Sequence, residues 1–242
     1  MRRSRSFSGC FAGQFEINGT GLCMEEIYNV QQHSFSEQET LWTSLKTQTQ
    51  LSASVCFDSV QKWRPPTGLA FKLNFDAAIF ANTNSSGAGV IIRNSLGEVM
   101  AGLSARGPSV VSSEKAEVLA CRKALEFALD SGFRDLVVEG DNITVMRTMV
   151  SPRPNRSKLG HIYVDICMLA SGFRSLSVEC VKRSANSVAH CLARYACQLD
   201  EDMVWLEESP LPALQALYLD SMSLNERMNT RIGFFKKKKL VK

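Results

Sequence analysis

From residue 70 to about residue 198, apolar and polar positions fall into blocks whose period switches between two and about 3.6. Phe71, Leu73 and Phe75 alternate with Lys72, Asn74 and Asp76, which predicts a first strand over Ala70–Ala77. Gly87–Arg93 reads as a second strand, Asn94–Gly97 as a turn and Glu98–Ala105 as a third strand. Three strands joined by short loops predict an antiparallel meander. A helix follows from about Ser113 to Leu129, with Ser112 or Ser113 to cap it, Glu114 suited to its positive end and Gly132 as its stop. Arg134–Glu139 is a fourth strand; its unbroken Leu136, Val137 and Val138 suit a strand covered on both faces. Helices over Asn142–Val150 and Lys158–Ala170, a fifth strand over Ser175–Val181 and an amphipathic helix over Asn186–Gln198 complete the pattern. The order βββαβααβα predicts one α/β domain. Its mixed sheet has five strands, three antiparallel and then parallel additions, with helices on both faces.

The flanks carry less pattern. Residues 1–62 are rich in Gln, Ser and Thr and read as an extension or linker, with one short helix over Glu37–Leu51. Trp63-Arg-Pro-Pro-Thr-Gly68 is a boundary, because two prolines force extended backbone and end any preceding helix. The domain therefore spans 63–199. Residues 200–242 read as a C-terminal extension, with a short helix or two inside Met203–Leu219 and a basic run at Lys236–Lys239.

Composition narrows the class. With 242 residues, 45% hydrophobic, the chain can bury one full core. Its 28 basic residues nearly balance 24 acidic ones, and a net charge of +4 permits a nucleic-acid partner without demanding one. Eight cysteines occur without a CxxC pair, and three histidines cannot supply zinc-finger spacing. Cys121, Cys167 and Cys191 lie in helical patterns and read as small buried hydrophobes. The scattered cysteines are expected to be the reduced thiols of an intracellular protein, in nucleus or cytoplasm. No apolar run reaches the roughly 18 residues that span a bilayer, so no membrane partner is expected, and the protein is expected to be a monomer.

Three acids stand out by position. From Glu117, the residues at i+3, i+4, i+7, i+8 and i+11 are Ala120, Cys121, Ala124, Leu125 and Ala128, all apolar. Glu117 thus lies on the stripe that faces the sheet, where an acid is costly unless paired or bound to metal; the alternative is a first-turn Glu reaching solvent. Asp76 lies at the end of the first strand's pattern. Asp141 lies where the fourth strand gives way to a helix, with Asn142 competing for the cap. Glu139 shares its strand face with Asp141 and reads by default as a rim salt-bridge residue. If the first and fourth strands are neighbours, Asp76 and Asp141 project together and Glu117 hangs over them. Clustered carboxylates repel unless cations neutralise them, and oxygen-only ligands suit Mg²⁺, with Mn²⁺ as a substitute. Two such ions about 4 Å apart serve phosphodiester hydrolysis.

Five segments carry a resemblance: Trp63-Arg-Pro-Pro with Lys72-Leu-Asn-Phe-Asp76, Gly87–Arg93, Ala116–Leu125, Val137–Asp141 and Val181–Ala193. In this order they resemble the type 1 ribonuclease H fold, in particular the reverse-transcriptase-like domains of plant non-LTR retroelements and their host-encoded relatives. The resemblance spans about Trp63 to Ala196. It implies hydrolysis of the RNA strand of RNA·DNA hybrids, with metal on Asp76, Glu117 and Asp141. It also places Asn186 on an Asn before the last helix and His190 on a fourth catalytic position that usually carries Asp. The retroelement-like branch often has Ala-His there. Ala77-Ala78 departs from the family's Asp-Gly-Ser or Asp-Gly-Ala. Lys182 and Arg183 are expected to meet phosphate, and Asn142 and Asn186 to contact nucleic acid. Asn82, Asn84, Ser85 and Ser86 are further polar candidates. A non-catalytic nucleic-acid-binding module domesticated from a retroelement is the competing expectation, motivated by Ala77 and His190.

Overall fold

The structure, a computed structural model, describes residues 61–151 and 157–224. The helix expected over Glu37–Leu51, the loop prolines 152 and 154 and the run Lys236–Lys239 lie outside the described residues.

Among the described residues six strands form one sheet: β1 (Phe71–Phe80), β2 (Ser85–Arg93), β3 (Val99–Gly107), β4 (Asp135–Gly140), β5 (Ser175–Cys180) and β6 (Met203–Leu206). Their order is β5-β4-β1-β2-β3-β6. β1, β2 and β3 form the antiparallel meander, and β4 and β5 add in parallel on the far side of β1. The helices are α1 (Ser113–Asp130), α2 (Ile143–Met149), α3 (Gly160–Ala170), α4 (Ser187–Tyr195) and α5, residues 214–224. This is the mixed α/β class expected from the sequence, with one strand more than the five expected. β6 pairs antiparallel with β3 through Ala101↔Leu206 to Ser104↔Met203, so chain read as an extension adds to the sheet.

The odd-numbered side chains of β1, Leu73 and Phe75, join Val90, Ile92, Leu103, Leu136 and Val138 in a core covered by α1, α2 and α3. Full burial of each such side chain stabilises the fold by about 1.5–3 kcal/mol. α4 and α5 cover the opposite face, where Ile91, Val188, Leu192, Ala213 and Ala216 cluster.

The even-numbered side chains of β1 are buried too, contrary to the usual meaning of a polar alternation. Lys72 is 5% exposed, Asn74 0% and Asp76 1%. They satisfy one another and their neighbours. Lys72 Nζ donates to Glu139 Oε1 at 2.5 Å, and Asn74 Nδ2 to Glu139 Oε2 at 2.8 Å. Glu139 is therefore a buried ion-pair partner, not a rim residue. Asn74 Oδ1 accepts from Trp63 Nε1 at 2.9 Å and from Arg93 at 3.3 Å. Arg93 lies 3.5 Å from the centroid of the Trp63 ring and donates to Asp220 of α5 at 2.7 Å. Charges so buried persist only when paired and hydrogen-bonded.

α4 approaches this face closely because β2 carries glycine at positions 87 and 89. A Cβ on Gly89 would lie 2.2 Å from the Ala189 carbonyl oxygen, and one on Gly87 2.4 Å from that of Ala193. Glycine removes the obstacle, and the backbone of α4 rests on the sheet.

Among the described residues no helix is long and apolar enough to cross a membrane. Cys121 and Cys167 are buried, while Cys191 is half-buried.

Candidate metal centre

β1 is longer than its sequence pattern suggested and runs on to Phe80, so Asp76 sits inside the strand and not at its end. β4, however, pairs with β1 only as far as Asn74↔Glu139. Beyond that point the flank of β1 is open. Continuing the register by two residues brings Asp141 opposite Asp76. Asp141 is free to face the site because Asn142 takes the cap: its Oδ1 accepts from the N–H groups of Thr144 at 3.1 Å and Val145 at 3.2 Å.

Glu117 arrives from α1. Ser112 caps that helix by accepting from the Lys115 N–H at 3.2 Å, which sets the phase of the following turns. Glu117 then falls on the buried stripe, 7% exposed, as the apolar spacing predicts. One carboxylate oxygen each from Asp76, Glu117 and Asp141 lies within 4.8 Å of the others.

The electrostatics follow from this crowding. Burial, together with the charges of Asp76 and Asp141, pushes Glu117 up to about 8. Burial and the Asp141 charge push Asp76 up to about 6, opposed by His190 and Arg183. Without a neutralising cation Glu117 and Asp76 resist ionising. The donor set is oxygen only and the geometry is convergent, so the residues fit a hard divalent cation such as Mg²⁺.

His190, on α4, belongs to the same cluster. Its Nδ1 lies 2.6 Å from Asp76 Oδ2, and the Arg183 guanidinium lies 2.8 Å from that nitrogen and 4.0 Å from Asp76 Oδ2. Lys182 is exposed, and its backbone N–H donates to Gln61 Oε1 at 2.6 Å. Asn186 differs from expectation. It is 1% exposed, donates through Nδ2 to the Phe75 carbonyl at 2.8 Å and accepts from Asn74 at 3.3 Å. It pins the start of α4 beside Asp76 and offers no free surface to a ligand. Ser85 and Ser86 are buried within β2, and Asn84 accepts from Ser109 Oγ at 2.6 Å.

Sequence reasoning did not single out Arg194, which with Ala78, Phe80, Arg183, His190 and Tyr195 lines a groove of about 1150 Å³ beside the acids. Its signal was present, since Arg194 stands one helical turn after His190.

A family model described as reverse transcriptase-like matches residues 74–196, about half of the chain. The chain belongs to the reverse transcriptase-like family. The family match runs from Asn74 in β1 to Ala196 after α4, and so contains all three acids and His190. Among solved structures, the chain is similar to RNase H1 of the archaeon Halobacterium salinarum, 26% identical, with a TM-score of 0.49 over 53% of this chain and 98% of that one. The N-terminal RNase H domain of a Mycobacterium tuberculosis protein is 23% identical, with a TM-score of 0.48 over 54% and 95%. LC11-RNase H1 in complex with an RNA/DNA hybrid is 21% identical, with a TM-score of 0.47 over 53% and 96%. No curated protein matches the chain.

Proposed function

We propose that this protein is a metal-dependent nuclease of the ribonuclease H type 1 class that hydrolyses the RNA strand of RNA·DNA hybrids. The observation that carries the reading is the convergence of Asp76, Glu117 and Asp141, with ligand oxygens within 4.8 Å of one another. Mg²⁺, or Mn²⁺ in its place, would be held by these three carboxylates. When bound it supplies an activated water and charge stabilisation at the leaving oxygen.

The chain's own residues do the rest. Asn186 and the glycines of β2 fix α4 against the sheet, and α4 holds His190 against Asp76. Arg183 and Arg194 present positive charge along the groove, suited to the phosphates of a nucleic-acid backbone. Lys182, beside Arg183, and Asn142, beside Asp141, extend this proposed contact surface. The Ala189-His190 pair, where the wider family carries Asp, supports a place in the retroelement-derived branch.

The test is cleavage of a labelled RNA·DNA hybrid by the full chain in Mg²⁺ and in Mn²⁺, with Asp141→Asn as the control. Divalent-dependent cleavage that falls at least about 100-fold in Asp141→Asn supports the reading. Folded protein with no cleavage in either ion refutes it.

One observation favours a second reading, a non-catalytic nucleic-acid-binding module. The Arg183 guanidinium and the His190 ring already lie 4.0 Å and 2.6 Å from Asp76 Oδ2. On that reading the folded protein binds a hybrid with an affinity indifferent to Mg²⁺ and cleaves nothing.

A further inference from the structure

β6 is an edge strand among the described residues, with a neighbour only in β3. Edge strands are usually guarded by charge, proline or a covering element. This one reads Met203-Val-Trp-Leu206, four apolar residues without interruption, and Val204 and Leu206 are 48% and 61% exposed. Among the described residues nothing pairs with its outer backbone either. Glu207 N–H donates to the Met100 carbonyl, and strand alternation then turns the N–H groups of Val204 and Leu206 away from β3. Five acids bracket the strand: Asp200, Glu201 and Asp202 before it, Glu207 and Glu208 after it. Asp202 pairs with Lys123 at 3.0 Å, and among the described residues no Lys or Arg pairs with the other four. The edge is therefore a short apolar strip with acidic ends. A second copy would bring acid against acid in an antiparallel pairing, since Asp202 would then face Glu207.

The chain contains a segment of complementary pattern. Arg231-Ile-Gly-Phe-Phe-Lys-Lys-Lys-Lys239 is an apolar stretch of the same length with basic residues at both ends. We propose that residues 231–239 dock along β6 as an antiparallel seventh strand. Ile232–Phe235 lies beside Leu206–Met203, Arg231 meets Glu207 and Glu208, and Lys236–Lys239 meets Asp200–Asp202.

Direction and reach both agree. Leu224 at the end of α5 packs at Gly97, where its Cδ1 is 3.1 Å from a Cβ built there. Gly97 leads into the end of β3 that pairs with Leu206, so a tail leaving α5 meets β6 at Leu206 and runs antiparallel to it. The path is about 13 Å along β3 and about 10 Å across two strand spacings. The seven residues 225–231 span up to about 24 Å when extended. The lysine run then guards an apolar edge, a role distinct from holding nucleic acid.

The test is amide hydrogen exchange on the full chain, resolved at Val204 and Leu206, with Val90 and Ile92 of the central strand as internal controls of folding. Docking predicts that both edge amides exchange at least about tenfold more slowly than an open edge allows. In a full-length variant carrying Phe234→Asp with Lys236→Glu and Lys238→Glu, that protection is lost while the control amides are unchanged. A second variant, with only Lys236→Glu and Lys238→Glu, is rescued by Asp200→Lys and Glu201→Lys. Equal exchange at Val204 and Leu206 in wild type and both variants overturns the proposal. So does protection that rises with protein concentration, which would assign the edge to a second copy.

Discussion

His190 Nδ1 lies 2.6 Å from Asp76 Oδ2, so a helix residue on one face of the sheet reaches an acid that also faces Asp141 and Glu117. The contact depends on α4 lying directly on β2. It lowers the tendency of Asp76 to hold a proton, working against burial and the neighbouring Asp141 charge.

His190→Ala should therefore slow hybrid cleavage by about 10–100-fold, the usual range for losing a residue that orients a metal ligand. His190→Asp, which supplies a fourth carboxylate, should recover the loss at high Mg²⁺. Initial rates against Mg²⁺ concentration decide this, and an unchanged His190→Ala would remove His190 from the site.

The crowded acids make the metal-free protein sensitive to pH. Glu117, raised from 4.5 to about 8, binds a proton in the folded state that it releases in the unfolded state over that range. Asp76, raised from 3.8 to about 6, does the same over a lower window. The folded state thus binds more protons, and stability falls as pH rises from about 4 to 8. Thermal melts in chelator should show a decreasing Tm across that window, and added Mg²⁺ should restore it most at pH 8. Glu117→Gln should raise the metal-free Tm at pH 8 and blunt the Mg²⁺ effect. A metal-free Tm that is flat with pH would mean that burial and the neighbouring charges do not raise Glu117 and Asp76.

Gly89→Ala tests the seating of α4. The new methyl group would fall 2.2 Å from the Ala189 carbonyl oxygen, which backbone alone must relieve. A loss of about 1–3 kcal/mol in urea unfolding is expected, with cleavage falling further than stability accounts for because His190 moves with α4. Wild-type stability in this variant would show that α4 is not held by close backbone approach.

Asn74→Leu tests the buried network. It deprives Trp63 Nε1, Asn186 and Glu139 of a partner at once. Unsatisfied buried groups cost about 1–3 kcal/mol each, so a loss of at least about 3 kcal/mol is expected from chemical denaturation. A change below about 1 kcal/mol would indicate that the network is not a source of stability.

Much of this was legible in the sequence because local patterns and the sheet agree. The alternation in β1, the apolar stripe under Glu117 and the turn at Asp141 each specify a face or an end, and the register of β1 against β4 then brings the acids together. What the pattern could not show was burial of the polar face. Lys72, Asn74 and Asp76 read as an exposed alternation, and only Trp63, Asp220 and the Gly87/Gly89 approach, distant in sequence, reveal that they are covered. β6 escaped notice for a related reason: four residues are too few for a period, and the pairing that defines the strand comes from β3. The tie of Asn186 to the Phe75 carbonyl is likewise a contact across more than a hundred residues, invisible to spacing.

The turn at Gly97 has a consequence for how the protein is assembled. Trp63 Cζ3 and Leu224 Cδ1 both lie within 3.5 Å of the Cβ position built on that glycine, one from each end of the described chain. The segment before β1 and the helix after β6 thus brace the same turn, between β2 and β3. Trp63 also donates to Asn74, so a disturbance at this turn is transmitted to the buried polar face of β1.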